Sequence, residues 1–322
     1  MARTLQQPRN PAHNIRVHDN DGALLASMHV RPDISLYVTH TMLYRYCSIA
    51  FLITNQEEWG IYPLLDTGDL GYILRDGRET AVRPGKYVVL GRFNKNPIDI
   101  QLNPENPPRR VPTRDRDTQS RSQGQSDRNH LQRAFRTNLL TRDEVCVFTQ
   151  ENTAVGGTSD HRLVQAGHII PTSQISIWNR DYKQLITEEP PSQIGESRIY
   201  SPRNGLLLGV VQHILFDDYM IGVDPMADYK IIFFGEDTQG WGGKRLKDSA
   251  IHGANNVPGV HPRFLQWHLR MCVLANMKAN AEPQIPWEDD LGEDDIGQIR
   301  EQQDASERME TELFTRLGEY VV

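Results

Sequence analysis

The sequence predicts an α+β protein: a small β-rich N-terminal domain, a core of strands and one short helix, and a helical C-terminal extension. Three observations predict it. Short apolar runs bounded by turn residues crowd residues 14–102, as strands do. Leu131, Phe135 and Leu139 then fall at i, i+4 and i+8, one buried stripe of a helix. The last third carries further helical stripes, with Phe264, Trp267, Met271 and Leu274 the clearest.

The elements follow in order. Asn14–Val17, Ala23–Val30 and Cys47–Thr54 read as strands, with one helix around Ser35–Tyr46. The Asp-Gly pair inside GYILRDGRE (71–79) is a hairpin signal, and RPGKYVVLGRF (83–93) reads as a turn and a strand. Together these predict a small sandwich or barrel-like domain over 14–102. Residues 103–127 are rich in Arg, Pro and Ser and read as a linker. A helix over Asp127–Leu140 opens a domain spanning 128–240. In it, Val145–Thr149 and Leu163–Ile170 read as strands, Ser173–Arg203 as a polar insertion over the site, and Leu207–Phe216 as a helix. Tyr219–Val223 and Lys230–Phe234 read as a hairpin around Asp224–Asp228. The extension, 241–322, holds helices over Pro262–Asn280 and Ala305–Leu317, separated by an acidic loop, 282–299, without Lys or Arg.

The chemistry concentrates in two strings, QAGHIIP (165–171) and RNGLLLGVVQHILFDD (203–218). His213 and Asp217 stand four apart, so a helix puts them on one face, one turn apart. An imidazole nitrogen and a carboxylate oxygen can then share one divalent ion. Mixed N/O ligation suits Mg, Mn, Ni or Zn without choosing among them. His168 lies upstream on a strand, where it can serve as a general base on water. Read alone, a single His between Gly167 and Ile169 is also an ordinary core histidine. Asn204 is equally a turn residue, and Asp217 a helix-end residue.

These strings resemble the HNH nuclease family, whose core is a ββα-metal unit, and in particular the HNH-domain proteins common in filamentous fungi. The likeness extends along the chain. VCVFTQ (145–150) resembles the family's Cys-x-x-Thr-Gly opening, with Gln150 where Gly is usual. NIRVHDNDGALLASM and PGKYVVLG match at the front, and FLQWHLRMCVLANMKANAEPQIPWEDDLGEDDIGQI at the back. The resemblance implies that His168 is the base, that Asn204 holds the loop and orients it, and that His213 and Asp217 bind the metal. Many relatives carry an Asp or His just before the base; here that residue is Gly167, which offers no ligand. Asp160 and His161 are candidate auxiliary ligands.

Composition bounds the function. With 322 residues and 38% hydrophobic content the chain can bury a sizeable core. No apolar run is long enough to span a bilayer, so no membrane partner is expected. The N-terminal MARTLQQPRNPAH lacks a secretory apolar stretch, and three scattered cysteines argue against a disulfide framework. An intracellular protein, cytoplasmic or nuclear and not secreted, is expected. Charge weighs against a nucleic-acid partner. The net charge is −7, and residues 142–240 hold 7 Lys and Arg against 14 Asp and Glu. DNA-gripping surfaces normally neutralise phosphates with cations.

Three functions follow. The first is an HNH-type metal-dependent phosphodiesterase or nuclease, with nucleic acid as its partner. The second is the same scaffold turned, in specialised metabolism, to a metal-free cyclase of Diels–Alderase type acting on a small apolar substrate. The third is a non-catalytic binding protein.

Overall fold

The structure is a computed structural model that describes residues 5–8, 10–34, 37–55, 57–108, 123–151, 154–155, 158–159 and 163–279, with the backbone only at 123–129, 154–155 and 158–159. Asp160, His161, the acidic loop 282–299 and the expected helix Ala305–Leu317 lie outside the described residues.

The N-terminal part is built on a four-stranded sheet of order β2-β1-β5-β4. Strands β1 (Ile15–His18) and β2 (Leu24–Met28) are antiparallel, and β1 runs parallel to β5 (Gly85–Gly91). Strand β4 (Trp59–Leu64) closes the other side of β5, antiparallel to it. Ile15, Val17, Ile61 and Val89 turn one face toward the main core. The opposite face carries a small cluster of Tyr62, Val88 and Leu90. Helix α1 (His40–Ala50) begins at Thr39, whose side chain accepts from the Met42 N–H, and runs straight into β3 (Phe51–Ile53), paired with β6 (Ile100–Leu102). The expected helix over Ser35–Tyr46 is thus displaced, because the N-cap sits at Thr39.

The Asp76-Gly77 turn forms, and Gly77 takes a positive φ of 80°. The runs flanking it do not pair with each other, however. The Gly71 N–H donates to Pro63 O and the Leu74 N–H to Ile61 O, so 70–74 covers the outer edge of β4. Satisfying an open sheet edge outweighs the local hairpin signal.

Helix α2 (Gln123–Asp143) is longer than its apolar stripe suggests. The expected strand Val145–Thr149 is instead a turn, with Gln150 at φ 59° and its N–H on Cys146 O. Cys146, Val147 and Phe148 are buried, but only the Val147 N–H reaches the hairpin, donating to Leu207 O. After the short pair β7 (Ala154–Val155) and β8 (Thr158–Ser159) comes a hairpin of β9 (Val164–His168) and β10 (Gly205–Gly209). Here a second expectation fails: Leu207 to Gly209 belong to the strand, and helix α5 (Val210–Asp217) starts later. Three consecutive leucines fit a buried strand or a buried helix equally well, and pairing with β9 decides it.

The insertion between the hairpin strands is not a bare loop. It holds one-turn helices α3 (Ile175–Ile177) and α4 (Pro191–Ile194), and buries Trp178, Ile186 and Ile194. Strands β11 (Ile221–Asp224) and β12 (Lys230–Phe233) form the expected hairpin. Helices α6 (Asp248–His252) and α7 (Pro262–Asn276) complete the described chain, α7 opening with Pro at its first turn and the His261 side chain accepting from the Arg263 N–H. One continuous apolar core runs from Ile15 and Val17 through Leu206 and Phe216 to Val273. Among the described residues, no helix is long and apolar enough to cross a membrane.

Candidate metal and phosphodiester site

The β9–β10 hairpin decides where each candidate side chain goes. Antiparallel pairing sets His168 opposite Gly205 and Gly167 opposite Leu206. Successive strand residues face opposite sides, so Gln165 and Gly167 turn to one face and Val164, Ala166 and His168 to the other. Helix α5 covers the first face, and α2 packs on the second.

On the α5 face, His213 and Asp217 come together. Nε2 of His213 lies 3.4 Å from Asp217 Oδ2, across one helical turn. The other ring nitrogen, Nδ1, is 2.7 Å from Gln165 Oε1. With the proton on Nδ1 donating to that oxygen, Nε2 presents its lone pair toward Asp217. This is how a metal-binding imidazole is usually oriented. The ring lies over Gly167: a β-carbon there would sit 3.0 Å from Nε2. A side chain at 167 and His213 in this position compete for one space. Asp218 follows at the helix end, its carboxyl held above the usual carboxylate range by desolvation and then by the charge of Asp217.

His168 and Asn204 form a second group on and around the α2 face. The His168 ring stacks on Phe135, with centroids 4.2 Å apart and planes 12° apart. Tyr200 meets it edge-on at 5.4 Å. Asn204 staples the chain just after His168. Its Oδ1 accepts from the Ile170 N–H at 2.9 Å, and its Nδ2 donates to Ile170 O and Ile199 O. Its own carbonyl accepts from the Ile169 N–H. The turn carrying Asn204 is itself held by Arg142, whose side chain is fully buried. That guanidinium donates to Pro202 O, Gly205 O and Pro258 O, and pairs with buried Asp143 at 2.7 Å. Ser249 Oγ donates to the same carboxylate.

Gln165, Phe135 and Arg142 were not among the sequence candidates. Phe135 belongs to a visible apolar stripe, but its partner is not visible in sequence. Gln165 lies two residues before Gly167 on the same strand face, which is the only local signal it gives.

The donor set fits a divalent ion on the observed geometry: one oriented imidazole nitrogen and one carboxylate oxygen, with Asp218 adding negative field. Among the described residues no three His, Cys, Asp or Glu side chains gather as a metal site, so water or substrate oxygens would fill the remaining positions. The surface beside the pair is apolar. Val211 and Ile214 are each 56% exposed, and Val210 and Leu163 join them where β9 meets the start of α5. Two clefts of about 450 Å³ lie elsewhere, one lined by Glu188, Glu189, Arg203 and His252, the other by Arg31, Ile34, Val82 and Arg83.

No curated protein and no solved structure matches this chain. Residues 146–224, from Cys146 to the end of β11, match the family model of the HNH endonucleases, and the chain therefore carries an HNH endonuclease-type domain.

Proposed function

We propose that this domain is a metal-dependent phosphodiesterase centre acting on nucleic acid. The observation that carries the reading is the His213–Asp217 pair, with Gln165 orienting the imidazole from behind. His213 and Asp217 would hold the ion. When bound, a divalent ion supplies charge stabilisation at the scissile phosphate and its leaving oxygen. On this reading His168, which strand alternation turns to the hairpin face opposite the pair, takes the proton from the attacking water, and Asn204 keeps its strand end in place. Phosphodiester cleavage then leaves a phosphomonoester, the leaving oxygen takes a proton from solvent to become a hydroxyl, and the imidazolium returns its proton to solvent.

The test pairs calorimetric metal titration with plasmid nicking in Mg²⁺, Mn²⁺ and Ni²⁺. His213→Ala should lose both metal uptake and nicking. His168→Ala should lose nicking while keeping metal affinity. Nicking by His168→Ala at the wild-type rate would remove His168 from the reaction.

A second reading has one observation in its favour: the exposed apolar rim of Leu163, Val210, Val211 and Ile214. An HNH scaffold turned to a small apolar substrate in specialised metabolism would use such a rim and need no metal. Absence of metal uptake, together with saturable binding of apolar probes sensitive to Ile214→Ser, would favour it.

A further inference from the structure

We infer that Phe135, on α2 and outside the matched residues 146–224, is a positioning residue that sets the orientation of the His168 imidazole. The inference rests on the reading of His168 as the base. The second torsion of a histidine is broad, so neighbours must define the plane of the ring. Here Phe135 defines it from one face, stacked at 4.2 Å and 12°. Tyr200 closes against the edge, and Phe135 and Tyr200 also meet each other at 6.3 Å.

Phe135 is itself placed with little freedom. It is buried, and its ring seats against Gly205, the residue opposite His168 in the hairpin. A methyl at Gly205 would overlap Phe135 Cζ and approach Leu139 Cδ1 to 2.8 Å. Farther along α2, Arg142 donates to Gly205 O, so helix and strand are also tied by a hydrogen bond. The same strand residue thus fixes the Phe135 ring on one side and pairs with His168 on the other. The contact also suits the chemistry. As the base takes its proton it becomes a cation against an aromatic face, whose quadrupole favours it. Leucine would fill similar space and supply neither the plane nor the quadrupole.

The experiment compares Phe135→Leu with Leu139→Ala, a control one turn along the same buried stripe of α2. The His168 ring resonances are assigned by their loss in His168→Ala. The stack should shift them upfield in wild type. Phe135→Leu should abolish that shift, and Leu139→Ala should preserve it even if it costs as much stability. In plasmid nicking, Phe135→Leu should lower kcat by up to about a hundredfold with little change in KM, as misplacement of a reacting group does. Unchanged His168 resonances in folded Phe135→Leu, or nicking by it at the wild-type rate, would overturn the inference. If Phe135→Leu does not fold, Tyr200→Leu tests the same clamp from its other side, and an unmoved His168 signal there would also overturn it. A wild-type protein that nicks nothing would overturn the nuclease reading alone, and the ring shift would still decide whether Phe135 orients His168.

Discussion

The two halves of the site are built differently. Around Asn204, three side-chain hydrogen bonds, a buried Arg142–Asp143 pair and an aromatic clamp fix every group. Around His213, a hydrogen bond to Gln165 Oε1 and a neighbouring carboxylate orient the ring, and the surface beyond is exposed apolar side chain. The difference suits different tasks. A base must be held in one place before substrate arrives. A metal ligand pair with open positions can finish organising around the ion and the phosphate. On the proposed reading, the rigid half holds the base and the open half takes the ligand.

The sharpest way to break this comparison is Arg142→Met. It leaves Asp143 buried without its cation and takes the guanidinium's hydrogen bonds from three carbonyls. Loss of one partner of a buried pair costs about 3–5 kcal/mol, which urea denaturation will read. A loss below about 1 kcal/mol would mean that the Asn204 turn is not held as described. The next effect lies outside both halves and sets the window for comparing them. Burial holds the His13 imidazole down at about 4. The unfolded chain takes up this proton near pH 6.5 and the folded one near 4. Stability from His13 is thus complete above 6.5 and lost as pH falls through that interval, by up to about 3 kcal/mol. Thermal melts of wild type and His13→Gln between pH 7 and 4 will show whether this slope vanishes in the variant.

On the open half, Gln165→Leu should barely alter the melt yet weaken metal binding about 10- to 100-fold, since it removes the acceptor behind the ligand. Calorimetry checks it; an unchanged affinity would show that Nδ1 needs no such partner. The smallest effect is expected for Ile214→Ser. Replacing an exposed apolar residue should change stability by less than about 0.5 kcal/mol. A larger loss would mean that something covers the rim.

Much of the open half could be read in sequence, because a four-residue spacing on a helix is local information. His213 and Asp217 needed only the helix to exist. The rigid half was readable in its polar members and not in its supports. Phe135 stood in a visible stripe, but contact with His168 joins residues far apart in the chain, and periodicity does not say what a buried face touches. Arg142 entered only as one of the seven cations counted over 142–240, although its side chain is wholly buried. The helix boundary failed at Leu207 because a run of leucines satisfies both periods. The strand expected at Val145–Thr149 failed for a related reason. Its burial was visible, but its lack of a full set of partners was not.

The unbroken apolar core has a further consequence. Strand residues Ile15 and Val17, hairpin residues Leu206 to Leu208 and helix residues Phe264 to Leu274 share it. The segment 146–224 therefore has no melting temperature of its own. Heat should remove the sheet, the hairpin and α5 in one transition. Damage far from any ligand, at Val17 or Leu274, would then look in an activity assay like a poor enzyme, when it is a smaller population of a sound one.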